Sequence, residues 1–146
     1  MNKQFQDQLS QIDNPFHKLD TLVKILRGPD GCPWDKKQTA SSLLKYLREE
    51  TDELIEAVET KNSECICEEI GDVYLILSLL ANIYQEKGDF TAEDPLQSIC
   101  TKMIRRHPHV FAGEKLCTEE ELRSSWERIK QEEKREKKNI LSLSRP

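Results

Sequence analysis

The sequence predicts an all-α domain, a helical bundle with two long central helices and shorter flanking helices. Apolar residues recur every three or four positions in each long segment, the spacing that lines one face of a helix. Helix-start signals precede those segments at Asn14-Pro15, Thr39, Asn62, Asp94-Pro95 and Thr118. The two-residue alternation of a half-buried strand is absent from every long segment.

Residues 1–14 read as a lead-in, 15–130 as the domain and 131–146 as a charged C-terminal extension. Asn14 caps the first helix, with Pro15 at N1, and the helix runs to about Arg27 on a stripe of Phe16, Leu19, Leu22, Val23 and Leu26. GPDGCPWD at 28–35 stops it, because closely spaced glycines and prolines disfavour regular structure. Thr39 or Ser41 caps a helix reaching about Thr60, and Asn62 or Ser63 opens a long one ending near Gly88. A helix from Asp94-Pro95 must end before Pro108. Thr118 and Glu121 form a capping-box pattern that opens a last helix through Trp126 into the charged run EEKREKK.

With 146 residues the chain has the length of one domain, and its 34% charged content is arranged around periodic apolar stripes rather than in disordered blocks. A net charge of −5 provides no general attraction for nucleic acid or anionic membrane, so neither partner is expected. The longest uncharged run, Val73 to Gln85, has 13 residues, whereas a spanning helix needs about 20. Five cysteines, at 32, 65, 67, 100 and 117, with no secretory leader, predict free thiols in a reducing cytoplasm. Cys65 and Cys67 lack the second close pair that a four-cysteine zinc site requires.

The acidic residues carry the chemistry. Leu43, Leu47, Leu54 and Val58 define a stripe in which Glu50 takes the missing place, with Glu53 three positions further on the same side. The next helix repeats the arrangement. There Ile66, Ile70, Val73, Ile76, Leu77 and Leu80 are expected to form the buried face, and Glu69 and Asp72 interrupt it at the same spacing. Uncompensated carboxylates on apolar faces are costly, and facing pairs add like-charge repulsion. A hard divalent cation, Mg²⁺ with Mn²⁺ as a possible substitute, removes both costs. Salt bridges to lysine or arginine at the edge of the stripe are the structural alternative. Glu49 and Glu68 each precede an expected ligand by one residue, about 100° around the helix, where they can face water or orient a metal-bound one. Gly71 permits close approach of a backbone or ligand, or marks an ordinary packing contact.

An all-carboxylate magnesium site suggests a phosphate ligand, which also needs cations. Lys102 and Arg106 are four apart beside Arg105, Trp126 and Lys130 are four apart on the last helix, and Lys36, Lys37 and Lys45 surround the early loop. Trp34 can stack on a base or plug the core, and His107 and His109 stand at a helix end where imidazoles satisfy carbonyls. No glycine-rich loop ending in Gly-Lys-Ser/Thr is present.

Four blocks, GCPWDKKQT at 31–39, EETDELIEAVE at 49–59, EEIGDVYLIL at 68–77 and RRHPHVF at 105–111, together resemble the MazG family of nucleoside triphosphate pyrophosphohydrolases over about residues 15–130. Some members of that family carry two tandem copies of the domain; this sequence carries one. The resemblance implies magnesium ligation by Glu50, Glu53, Glu69 and Asp72. It implies phosphate contacts from Lys102 and Arg106 and a nucleotide site including Trp126 and Lys130. It also implies an all-α homodimer (or a tetramer built from two dimers) that cleaves a nucleoside triphosphate between the α and β phosphates. Glu49, or a ligand with a free oxygen, is the candidate proton acceptor; Trp34 and Lys45 complete the candidate substrate contacts.

The expected function is removal of ordinary, deoxy or damaged nucleoside triphosphates from the nucleotide pool. The alternatives are an enzyme dedicated to one metabolite, such as dUTP or phosphoribosyl-ATP, and a non-enzymatic helical interaction or regulatory module.

Overall fold

A computed structural model describes residues 3–115 and 118–143 and shows an all-α chain, with no strand among the described residues. Among the described residues eight helices follow in order: α1 (Lys3–Ser10), α2 (Pro15–Arg27), α3 (Pro33–Lys37), α4 (Ala40–Thr60), α5 (Ser63–Glu86), α6 (Asp94–Arg106), α7 (Pro108–Phe111) and α8 (Glu119–Leu143). They fall into two units, Met1–Asp94 and Pro95–Pro146.

Local signals set the helix ends. The Asn14 side chain accepts from the Phe16 and His17 amides, and Pro15 follows at N1, where its missing N–H costs nothing. Thr39 and Ser42 close a reciprocal capping box at the start of α4. Asn62 caps α5 through the Glu64 and Cys65 amides, one residue after Lys61 ends α4 in the left-handed region at φ 58°. Thr118 and Glu121 bond reciprocally ahead of α8. The charged run beyond residue 130 is helical and continues α8.

In the first unit α5 packs on α4 and α2, while α2 meets α3 and α1. Val23, Leu43, Ile76, Leu79 and Ile83 form the buried core, with Leu19, Ala40, Tyr46, Leu47, Leu75 and Leu80 packed around it. Burying one such leucine or isoleucine contributes roughly 1.5–3 kcal/mol. The buried side of α5 therefore runs through Ile76, Leu79, Asn82 and Ile83. Ile70 and Leu77, expected on that side, are exposed in the single chain, as is Val58 on α4. The physical reason is stripe width: the apolar residues of α5 extend around more of the helix than α2 and α4 cover.

The early loop is more ordered than its composition suggests. Cys32 N–H donates to the Leu26 carbonyl at 2.8 Å and Gly31 N–H to that of Gly28 at 3.0 Å. A Cβ on Gly31 would collide with the Ile25 and Leu26 carbonyl oxygens, so this crossing requires glycine. Pro33 then opens the short α3, where an irregular segment is expected from the sequence.

Arg27 ties three elements together. Its Nε and Nη2 donate to the two Glu86 oxygens, both at 2.7 Å, and its Nη1 donates to the Asp35 and Gln38 carbonyls. Arg27→Ala is expected to destabilise the protein by about 2–3 kcal/mol, because it removes a largely buried guanidinium that bonds Glu86 and the Asp35 and Gln38 carbonyls. Glu86→Gln should cost less than about 1 kcal/mol, since Glu86 is half exposed. Urea unfolding with an unchanged m-value would measure both.

In the second unit, Arg105 and Arg106 of α6 pair with Glu136 and Glu133 of α8. His107 Nδ1 lies 2.6 Å from the Met103 carbonyl, which can only accept, so Nδ1 carries the proton. Cys32, Cys65, Cys67 and Cys100 are free thiols, and Cys117 lies outside the described residues. No described helix is long and apolar enough to cross a membrane.

Candidate metal centre

Glu50 and Glu53 stand on α4, and Glu69 and Asp72 on α5, the helices that pack most extensively on each other. One carboxylate oxygen from each of Glu50, Glu69 and Asp72 lies within 4.8 Å of the other two. All three side chains are partly buried. Glu53 is exposed and outside this close group, although its charge reaches both Glu50 and Glu69.

The electrostatics report an uncompensated acidic cluster. Burial raises the Glu50 carboxyl above its ordinary value, and the charges of Asp72, Glu53, Glu69 and Glu49 add to the shift. Burial likewise raises Glu69, followed by Glu53, Asp72 and Glu68. Glu69 Oε2 is buried and has no hydrogen-bond partner. No ion pair among the described residues involves Glu50, Glu53, Glu69 or Asp72, so no described salt bridge accounts for these positions. A carboxylate with an orphaned buried oxygen, grouped with two further hard oxygen donors, fits a hard divalent cation. Glu49 and Glu68 are exposed beside the cluster.

Gly71 has open space where a Cβ would stand, with no atom of another described segment within 4 Å, so no packing contact among the described residues calls for glycine there. Trp34 and Lys45 meet at Tyr46. Trp34 packs edge-on against Tyr46 at 5.5 Å, and Lys45 Nζ lies 4.3 Å from the same ring. Trp34 is 47% exposed, so it does not plug the core. Lys36 instead donates to the Pro29 carbonyl at 2.8 Å.

In the second unit the Arg106 guanidinium lies 5.2 Å from the Trp126 ring centroid while Glu133 holds it by two nitrogens. Lys130 pairs with Glu127 at 3.2 Å, and the Lys102 charge acts on Glu133. Glu133, not among the residues expected from the sequence, continues the Trp126–Lys130 face at the next helical step, and that spacing is its signal in the sequence.

The helical fold and the acidic spacing are those of an all-α nucleotide pyrophosphohydrolase domain, and the MazG nucleotide pyrophosphohydrolase domain matches residues 38–111. The chain belongs to the MazG family. It is 45% identical over 124 residues to the nucleoside triphosphate pyrophosphohydrolase/pyrophosphatase MazG of Thermotoga maritima, covering 85% of this chain and 47% of that protein. It is 38% identical over 131 residues to a nucleoside triphosphate pyrophosphohydrolase of Escherichia coli, covering 89% of this chain and 50% of the other. The chain thus spans about half the length of these curated relatives. A crystal structure of a MazG-related protein from Thermotoga maritima superposes with a TM-score of 0.66 at 30% identity, over 79% of this chain and 98% of that one.

Proposed function

We propose that the protein hydrolyses nucleoside triphosphates between the α and β phosphates, releasing the monophosphate and pyrophosphate, and thereby clears the nucleotide pool. The observation that supports this most directly is the convergence of the Glu50, Glu69 and Asp72 carboxylates, with a Glu69 oxygen buried and unpartnered, in a chain of this family. Those three residues, with Glu53 from the exposed side, would hold Mg²⁺ or Mn²⁺. When bound, the cation supplies neutralisation of phosphate charge and Lewis-acid activation of water.

The chain's own groups do the rest. Glu49, or a ligand carboxylate with a free oxygen, accepts the proton from the attacking water. Lys102 and Arg106, with Lys130, take up charge on the triphosphate and on the departing pyrophosphate. Trp34 and Trp126 offer aromatic faces to a base, and Lys45 a further cation. In-line displacement requires no covalent intermediate. The exposed apolar residues Ile55, Val58, Ile70, Tyr74 and Leu77 support assembly as a homodimer, or a tetramer of two dimers, that covers them.

A panel of ordinary, deoxy and damaged nucleoside triphosphates, with pyrophosphate and orthophosphate detected separately, tests the reaction. The expected result is magnesium-dependent pyrophosphate release. Terminal orthophosphate alone, or activity surviving exhaustive chelation, would refute it.

A further inference from the structure

Arg105 and Arg106 are neighbours on α6, yet their carboxylate partners on α8 engage them differently. Glu136 takes Arg105 end-on: Nη1 and Nη2 donate to its two oxygens at 3.0 and 3.1 Å. That pair is open to water, with side chains 42% and 58% exposed. Glu133 takes Arg106 from the side, Nε donating to its Oε2 at 3.2 Å and Nη2 at 2.5 Å. Here the side chains are only 16% and 14% exposed. The guanidinium also lies over Trp126, whose ring His107 meets edge-on at 5.0 Å. Arg106 is therefore fixed along one edge and against one face. Its Nη1 makes no hydrogen bond among the described residues.

The two modes leave different donors for a ligand. An end-on carboxylate occupies both terminal nitrogens, the fork a phosphate would otherwise use. A side-on carboxylate leaves the Nη1 edge unengaged. We propose that Glu133 is a positioning residue for the triphosphate: it holds Arg106 by the Nε–Nη2 edge against Trp126, so that the Nη1 edge is presented to a phosphate group. This rests on the assignment of Arg106 to phosphate binding made above. Arginine is otherwise a long flexible side chain, and ordering it beforehand reduces what substrate binding must spend on doing so. Glu133 is suited to the task because it stays ionised: the Arg106 hydrogen bonds outweigh the effect of burial and hold its carboxyl below the ordinary range, with the charges of Arg106, Arg105 and Lys102 acting in the same direction. The competing idea is that Glu133 occupies Arg106 in place of phosphate. It predicts the opposite sign, since removing a competitor tightens substrate binding.

Steady-state kinetics on Glu133→Ala, Glu133→Gln, Arg106→Ala and the Arg106→Ala/Glu133→Ala double variant test the proposal, with the panel's fastest triphosphate as substrate. KM is the informative constant because it does not depend on the fraction of protein that is folded. Glu133→Ala should raise KM about tenfold and lower kcat by less, and Glu133→Gln, which keeps a side-on acceptor, should restore most of the loss. In the Arg106→Ala background, Glu133→Ala should add nothing. An unchanged or lowered KM in Glu133→Ala, or additive effects in the double variant, would overturn the proposal while leaving the Arg106 assignment in place. An unchanged KM in Arg106→Ala would remove that assignment and the proposal with it.

Discussion

Glu50→Ala and Asp72→Ala are expected to lower turnover on the order of 100-fold or more while leaving the melting temperature unchanged or slightly raised. The two effects share one cause. In the metal-free protein these carboxylates face each other and Glu69 within 4.8 Å, with no cationic partner among the described residues. Removing either relieves repulsion in the fold and removes a donor from the cation. A residue retained for packing behaves the other way, losing stability and sparing the kinetics of the folded fraction. Turnover, magnesium affinity and thermal unfolding measured together separate the two. Full activity with normal magnesium binding in both variants would show that the carboxylate cluster serves no metal.

Magnesium should raise the melting temperature at neutral pH, and the chelated protein should be more stable near pH 5 than near pH 7 on account of this cluster. Glu50 and Glu69 both have carboxyls raised above the ordinary value of 4.5. The folded state therefore binds their protons more tightly than the unfolded chain does. That contribution to stability is fully present below pH 4.5 and is lost as pH rises through the higher folded-state values. Glu86 and Glu133, whose carboxyls are lowered, act with the opposite sign and below 4.5, so the two windows are distinct. A cation at a hundredfold excess over its Kd would restore about 2.7 kcal/mol, and less as protons compete for the ligands. Differential scanning calorimetry of the wild type and Glu69→Gln, with and without magnesium, reads this directly. A pH slope identical in the two proteins, or no magnesium effect at pH 7, would contradict the expectation.

The helix ends were legible because they are decided locally. Asn14, Thr39, Asn62 and Thr118 each satisfy amides within three residues, and a cap of that kind needs no knowledge of the rest of the chain. The short helices were not. Residues 1–14 carry no strong start signal, yet α1 forms there and packs on α2. Pro33 lies in a run dense in glycine and proline that reads as loop, but its fixed φ suits the first turn of α3. The acidic positions were visible as gaps in two apolar stripes. Their closeness depends on how α4 and α5 pack, as does the exposure that sets Glu53 apart from the other three. The pairing of Arg106 with Glu133, 27 residues away, was beyond local reading because it depends on the register of α8 against α6.

Only Lys61 and Asn62 separate the helices that bear the carboxylates, and both have fixed duties, one in the left-handed region and one as a cap. Such a junction tolerates changes of residue far better than changes of length. One inserted residue that passed into α5 would turn its faces by about 100°, carrying Glu69 and Asp72 away from Glu50 although every acidic side chain was still present. Insertions and deletions at this turn are therefore as damaging to the candidate centre as replacing its ligands, while the loops beyond α5 can lengthen without altering the phase between the two acidic pairs.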